Sequence, residues 1–138
     1  MKNKKIAVLC GGWNSESEVS MRSGSGVFDT LTNLGYDAVK INFTRNIYQD
    51  LMTHKVDLVF NALHGKFGED GKIQGLLDIL NIPYTHSGLL ASAICMDKVL
   101  TRKICSQSNI LSPKYEILHQ YTDEEVDEFD KFVLENEE

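Results

Sequence analysis

The feature that most constrains the fold is a short apolar run that stops at two glycines. Lys5–Cys10 reads KIAVLC, and Gly11-Gly12 follows directly. An unbroken apolar run of this length is typical of a parallel strand that is covered on both faces. The chain is therefore expected to begin as an α/β domain whose first strand opens into a glycine-containing loop.

The segments that follow predict a βαβαβα order. Ser15 and Glu18 form an S-x-x-E capping box at the start of a helix, and Gly35 marks its end. Within this helix, apolar and small residues recur at helical spacing, namely Val19, Ser23, Val27, Leu31 and Leu34. The other predicted elements are strands at Asp37–Asn42 and Asp57–Leu63, helices at Ile47–Thr53 and Lys72–Leu80, and a short strand near Pro83–Thr85. The predicted fold class is α/β, with a mostly parallel, four-stranded sheet flanked by helices.

The last third of the chain has a different pattern. Leu89–Ser108 is predicted to be helical in two pieces, with a junction near Met96-Asp97-Lys98. Pro113–Leu118 is predicted as a strand, and Thr122–Glu135 as a helix with Thr122 as its N-cap. Because these elements are too few for a core of their own, we predict a domain of residues 1–96 and the incomplete start of another from 97 to 138.

Composition excludes several classes of function. Apolar residues make up 42% and charged residues 25%, as in an ordinary globular protein. The net charge of −6 comes largely from Thr122–Glu138, and no basic patch suggests nucleic-acid binding. No apolar run reaches the roughly 18 residues of a membrane span, and no export signal is evident. The three cysteines lack metal-ligand spacing, so we expect no metal site in this chain and a reducing, cytoplasmic setting.

Two loops are candidates for chemistry because ligands of open α/β sheets bind beyond the carboxyl ends of the strands. If the first and third strands are neighbours, Gly11–Ser20 and His64–Gly71 open onto one crevice. The first loop offers free backbone N–H groups at a helix start, which suit a carboxylate or phosphate. Glu16 could point into the crevice and bind an ammonium group, whereas Glu18 is better explained by helix capping and the helix dipole.

The second loop has three glycines in eight residues, which predicts positive φ or a close approach of backbone to ligand. His64 ends the strand and has either a structural role or a role in orienting Glu16 or a substrate carboxylate. Glu69 and Asp70 are expected to pin the loop through bonds to its backbone. No G-x-G-x-x-G or GxxxxGK[ST] segment is present, so the residues alone do not predict a nucleotide site.

Four ordered segments resemble one known family. Gly11–Ser20 (GGWNSESEVS) resembles the GGxSxExEVS segment of D-alanine–D-alanine ligases, and Ala62–Gly75 resembles their ALHGxxGEDGxxQG segment. Pro83–Gly88 resembles PYTGSG, and Ala91-Ser92-Ala93 with Met96-Asp97-Lys98 resembles the ASA and MDK segments that follow. The resemblance runs from about Lys5 to about Tyr115.

This resemblance implies an enzyme of the ATP-grasp superfamily with the N-terminal, Rossmann-like domain of such ligases. The family uses ATP and Mg²⁺ to join two D-alanines through an acyl phosphate, in peptidoglycan synthesis for cell-wall biogenesis and cell shape. The implied partners are D-alanine and ATP, with a homodimer as the common assembly and neither nucleic acid nor membrane as a partner. The implied location is the cytoplasm.

The resemblance also implies roles for particular residues. Glu16 would bind the ammonium group of the first D-alanine, and His64 would help to position that substrate, which makes these two the candidate catalytic residues. Val19 and Ser20 would line the same pocket. Lys98, which otherwise would be taken for a surface lysine, would reach toward an ATP phosphate.

Three departures from the family pattern carry consequences. Asn14 stands where the family has serine, and His86 stands where it has glycine, which alters a hydrogen bond and a turn. The chain stops at Glu138, before the family's phosphate loop and magnesium carboxylates, so we expect these 138 residues alone to be inactive. Alternatives are a non-catalytic α/β module for binding or dimerisation and a flavodoxin-like nucleotide-binding domain. Specificity for the second substrate cannot be read from these residues.

Overall fold

The computed structural model describes residues 4–117. Its elements are β1 Lys5–Cys10, α1 Ser17–Asn33, β2 Asp37–Asn42, α2 Ile47–His54, β3 Leu58–Asn61, α3 Lys72–Ile79, α4 Leu89–Met96 and α5 Lys98–Gln107. The predicted βαβαβα order and the α/β class are confirmed. The helix predicted at Thr122–Glu135 lies outside the described residues.

The sheet has the strand order β2-β1-β3, and both pairings are parallel. In the register, Ile6 lies opposite Ala38 on one side and Leu58 on the other. The central strand β1 is buried from Ile6 to Cys10, as its unbroken apolar run predicts. Because β1 and β3 are neighbours, the loops that follow them leave the same edge of the sheet side by side.

The core has two parts, which the alternation of β1 side chains separates. Ala7 and Leu9 belong to a larger cluster that includes residues of α2 and α3. Val8 and Cys10 belong to a smaller cluster with Ala62, against which apolar residues of α1 pack. The sheet is thus covered on both faces in the part of the chain that the structure describes.

The ends of α1 illustrate one wrong prediction and one confirmed prediction. The helix begins at Ser17 with Glu16 at the N-cap and no side-chain capping bond, so the predicted Ser15–Glu18 capping box does not form. Its C-terminal end is a Schellman motif: Gly35 adopts φ 79°, and the Tyr36 N–H donates to the Leu31 carbonyl at 3.0 Å. Gly35 therefore ends the helix as its position in the sequence predicts.

The predicted fourth strand is reduced to a single bridge between Val59 and Tyr84. The Val59 N–H donates to the Pro83 carbonyl at 2.9 Å, and the Thr85 N–H donates to the Val59 carbonyl at 3.0 Å. The next donor along β3, the Asn61 N–H, bonds instead to the Thr85 side-chain hydroxyl at 3.0 Å. This side chain takes the place of a backbone acceptor, and the ladder stops there.

The strand predicted at Asp57–Leu63 is also shorter, because β3 spans Leu58–Asn61. The Ala62 N–H still donates to the Leu9 carbonyl at 2.9 Å, but the next donor, the Leu63 N–H, bonds to the Asn61 side-chain oxygen at 3.2 Å, so the pairing with β1 ends there.

The chain divides after Thr101 into two compact units, while the predicted domain boundary after residue 96 stays a prediction. In the second unit, the Arg102 guanidinium donates to the Pro113 carbonyl at 2.8 Å and lies 4.8 Å from the centre of the Tyr115 ring. The strand predicted at Pro113–Leu118 is wrong over residues 113–117, because the Pro113 carbonyl is bonded to this side chain rather than to a neighbouring strand. Within residues 4–117, no helix is long and apolar enough to cross a membrane.

Candidate functional site

Asn14 joins the two candidate loops. Its side-chain amide donates to the His64 carbonyl at 2.8 Å and to the Lys66 carbonyl at 2.9 Å. Its side-chain oxygen accepts from the Glu16 N–H at 3.0 Å. A single amide thus satisfies backbone groups of both loops, which confirms that the loops share one crevice. The sequence marked Asn14 only as a departure from the family pattern and gave no sign of this role.

Glu16 lies against the second loop at the N-terminus of α1. A β-carbon added at Gly65 would overlap the Glu16 Oε2 atom, and Gly65 adopts φ 64°, a conformation that L side chains rarely adopt. Glycine at this position therefore lets the carboxylate approach the backbone immediately after His64. The Glu16 carboxylate therefore lies next to the residue that follows His64.

Ser20 is completely buried and lies beneath the crevice. Its hydroxyl accepts from the Gly11 N–H at 2.9 Å and donates to the Ala62 carbonyl at 2.8 Å. These bonds tie the end of β1 to the end of β3, so in this structure Ser20 supports the pocket from behind. Val19, the preceding residue on α1, is about half exposed with 46% of its surface accessible.

His64 lies between two side chains at the edge of a cavity of about 340 Å³. Its Nε2 atom is 3.2 Å from the Ser23 hydroxyl of α1. Its Nδ1 atom is 3.7 Å from Glu69 Oε1, while Glu69 Oε2 accepts from the Gly65 N–H at 2.7 Å. Ser23 and Glu69 also line the cavity, and the sequence predicted neither of them as a partner of His64.

The remainder of the second loop is fixed by hydrogen bonds from below. Two buried amides, Asn61 and Gln74, donate to the Gly68 carbonyl at 2.9 and 2.8 Å. Glu69 holds the Gly65 N–H, and Asp70 accepts from the Lys72 N–H at 3.3 Å. The predicted pinning of this loop by its two acidic side chains is therefore confirmed.

The surroundings of Asp70, in the same loop, change the pKa of its carboxyl. Partial burial raises the pKa of the Asp70 carboxyl, but hydrogen bonds from the Lys72 side chain and from the Phe67 and Lys72 backbone outweigh it, and the pKa is lowered. The carboxylate therefore stays ionised and bonded at neutral pH, which keeps the loop in place.

Aromatic rings cover the outer side of the two loops. Trp13 is stacked on Phe43 with ring centres 5.0 Å apart, and it contacts Phe67 at 4.9 Å. The Arg45 guanidinium lies 5.7 Å from the Trp13 ring. Phe67 adopts φ 73°, so this contact between the loops is made by a residue in an unfavourable backbone conformation.

Lys98 is exposed at the first residue of α5, and no hydrogen bond or ion pair joins its side chain to another residue of 4–117. The same part of the chain contains no group of three His, Cys, Asp or Glu side chains that could hold a metal ion.

The fold and the crevice together define the class: a parallel α/β domain whose loops after β1 and β3 are joined in one crevice. The protein-family model described as the D-ala D-ala ligase N-terminus matches residues 46–87 of this chain. The D-alanine–D-alanine ligase of Carboxydothermus hydrogenoformans is 52% identical over 111 residues, which are 80% of this chain and 36% of that protein. The ligase of Syntrophotalea carbinolica is 45% identical over 120 residues, 87% of this chain and 39% of that protein.

Solved structures agree with these relatives. The D-alanine–D-alanine ligase of Bacillus anthracis complexed with ATP superposes with a TM-score of 0.74 at 34% identity, covering 91% of this chain and 44% of that one. The D-alanyl-alanine synthetase A of Vibrio cholerae gives 0.76 at 22% identity over 98% of this chain and 46% of that one, a likeness of fold alone.

The chain is a relative of the D-alanine–D-alanine ligases and corresponds to their N-terminal portion. It spans 36–39% of the length of the curated relatives it matches.

Proposed function

We propose that this chain provides one wall of the first amino-acid pocket of an ATP-dependent D-alanine–D-alanine ligase. The observation that carries the proposal is the contact of the Glu16 carboxylate with the backbone at Gly65, directly after His64. It places an anionic group beside the residue that follows His64, at the carboxyl ends of adjacent parallel strands, where ligands of such sheets bind. Proteins similar in sequence to this chain are named D-alanine–D-alanine ligases.

In this proposal each residue has a distinct task. Glu16 binds the ammonium group of the first D-alanine through a charge-assisted hydrogen bond. His64 orients the same substrate, and the exposed side chain of Val19 contacts it. Ser20 positions these groups from behind, because its hydroxyl is used entirely within the protein.

ATP, when bound, supplies the phosphoryl group that activates a carboxylate, and Lys98 is the residue of this chain that we assign to a phosphate of ATP. We assign most Mg²⁺ ligands to the parts of a ligase that this chain does not span, as the family resemblance implies. The corresponding biological role is peptidoglycan synthesis for the cell wall and cell shape. We assign it to the cytoplasm and, as an assembly, to a homodimer.

A chimaeric enzyme tests the proposal directly. The matching segment of the Carboxydothermus hydrogenoformans ligase is replaced by the 111 aligned residues of this chain, and formation of D-alanyl-D-alanine and phosphate is measured with ATP and D-alanine. We expect an active chimaera, whose activity falls by about 100-fold or more on Glu16→Gln because an ion pair to the substrate is lost. Glu18→Gln, an equal change two residues away, should leave the activity within about twofold, as expected for a surface substitution away from the site.

A folded but inactive chimaera would overturn the ligase assignment and favour the non-catalytic binding module. Equal activity of the Glu16→Gln and Glu18→Gln chimaeras would overturn the role of Glu16 while leaving the family relationship intact. The 138-residue chain on its own should release no phosphate from ATP in the presence of D-alanine, and robust turnover by it would contradict our placement of the ATP site.

A further inference from the structure

Both ring nitrogens of His64 face a side chain. Ser23 Oγ lies 3.2 Å from Nε2, and Glu69 Oε1 lies 3.7 Å from Nδ1. Ser23 is on α1 and Glu69 is on the loop after β3, so the imidazole is held between two different elements. The other titratable side chains that line the same cavity are His86 and Cys95, and Glu16 lies nearby against Gly65.

The chemistry of the partners sets the direction of these interactions. An ionised carboxylate only accepts hydrogen bonds, so Glu69 favours a proton on the nitrogen that faces it, Nδ1. Glu69 cannot easily turn away, because its other oxygen accepts from the Gly65 N–H at 2.7 Å. In a neutral imidazole one nitrogen carries the proton and the other accepts, so Nε2 accepts from the Ser23 hydroxyl.

We propose that Ser23 and Glu69 are positioning residues that hold neutral His64 in the Nδ1–H tautomer, with Nε2 as an acceptor at the cavity. The Ser23 hydroxyl at Nε2 and the negative charge of Glu69, 3.7 Å from Nδ1, then both favour this location of the proton. His64 consequently offers the crevice a lone pair rather than an N–H group.

Ser23 has a second acceptor within reach, the Val19 carbonyl at 3.1 Å. This carbonyl lies one turn earlier in α1 and already belongs to the helical hydrogen-bond ladder, whereas Nε2 has no other donor among residues 4–117. In the proposed arrangement the hydroxyl proton points to Nε2, while the Val19 carbonyl keeps the helical N–H as its donor. When a ligand donates to Nε2, the hydroxyl can rotate to Val19 without leaving a polar group unsatisfied.

The ligand that fits this arrangement carries an N–H donor, because it meets a lone pair on His64 and carboxylates at Glu16 and Glu69. An amino acid's ammonium group has this chemistry. This step rests on the proposed function, whereas the tautomer of His64 does not depend on it.

Nuclear magnetic resonance of the 138-residue chain tests the tautomer without any ligand. Long-range ¹H–¹⁵N spectra of histidine-labelled protein at about pH 8.5, above the ordinary range in which histidine titrates, distinguish Nδ1–H from Nε2–H by their nitrogen shifts. We expect the Nδ1–H pattern for His64. Glu69→Gln and Ser23→Ala should each shift it toward Nε2–H or a mixture, whereas Ser23→Thr, which keeps the hydroxyl, should preserve it.

The matched controls are Glu18→Gln for Glu69→Gln and Ser25→Ala for Ser23→Ala. Glu18 and Ser25 lie on α1 and do not contact His64, so both control variants should leave the His64 spectrum unchanged. Circular dichroism of each variant confirms folding. An Nε2–H pattern in the unaltered chain would overturn the proposal, as would a spectrum that neither Glu69→Gln nor Ser23→Ala changes. Addition of D-alanine should move the Nε2 resonance; if the tautomer is as proposed but D-alanine has no effect, only the substrate assignment fails.

Discussion

Gly24 is the point at which α1 comes closest to the sheet. It is buried in the helix, and a β-carbon added there would overlap the Cys10 β-carbon and lie 2.9 Å from its sulfur. Cys10 is fully buried on the central strand, so it has no free space into which to move. Gly26, two residues further along the same helix, has open space at the corresponding position.

These two glycines separate helix propensity from packing. Replacing glycine by alanine in a helix interior stabilises the helix by about 1 kcal/mol, and this gain applies at both positions. At Gly24 the added methyl group overpacks the contact with β1, a change that typically costs about 1–3 kcal/mol. Because the overlap involves another β-carbon rather than a flexible side-chain end, we take the upper value of about 3 kcal/mol.

The expected result is a loss of about 2 kcal/mol in the free energy of unfolding for Gly24→Ala and a gain of about 1 kcal/mol for Gly26→Ala. Urea unfolding followed by circular dichroism measures both, and an unchanged denaturant slope would show that only stability has changed. The midpoint temperature should move by about 4 °C per kcal/mol for a chain of this size. Equal stability of the two variants would refute the close contact between α1 and β1.

Three further changes have defined outcomes. Ser20→Ala should lower the free energy of unfolding by about 2 kcal/mol in urea titrations, because two buried backbone groups lose their partner; Ser25→Ala should change it little. Asp70→Asn should reduce the loss of stability on acidification. The lowered pKa of Asp70 contributes stability above the ordinary carboxyl range of about pH 4, and this contribution is lost as the pH falls through the pKa of the folded state. Gly65→Ala should displace Glu16 and raise the KM of the chimaera for D-alanine more than it lowers kcat, measured by initial rates.

Much of the fold is predictable where a local pattern is sufficient by itself. The bounds of β1 and β2 agree with the prediction, because β1 is an unbroken apolar run that stops at two glycines and β2 is a short alternating run after Gly35. Gly35 ends α1 because positive φ is inexpensive for glycine. The helix junction at Met96-Asp97-Lys98 also agrees, since α4 ends at Met96 and α5 begins at Lys98.

The wrong predictions share a cause, which is competition from side chains that are distant in sequence or differently bonded. Ser15 and Glu18 have the spacing of a capping box, but the neighbouring Asn14 binds the Glu16 N–H and continues to the loop of His64, fifty residues away. The strand at Pro83–Thr85 is interrupted by the Thr85 hydroxyl. A local pattern contains no information about such partners.

The helical face of α1 shows the same limit at the site. Apolar periodicity predicts a face through Val19, Ser23, Val27, Leu31 and Leu34. Val27 and Leu31 do pack against the smaller core cluster, but the residues of the helix that are buried are Ser20 and Gly24. Periodicity identifies large apolar side chains, but the closest approach of a helix to a sheet is made by its smallest residues. The role of Ser20 as a tie between β1 and β3 follows from this approach and could not be read from the spacing.

The same close approach connects the stability of α1 to the geometry of the crevice. Gly24 allows the helix to lie against β1, and one turn earlier this places the Ser20 hydroxyl between Gly11 and the Ala62 carbonyl. With Ser20 fixed, the start of α1 is fixed, and Glu16 is brought against Gly65. A change at Gly24 that moves the helix outward by even a fraction of an ångström must therefore stretch the Ser20 bonds before it reaches the carboxylate. The position of Glu16, to which we assign the ammonium group, therefore depends on the small residues behind it.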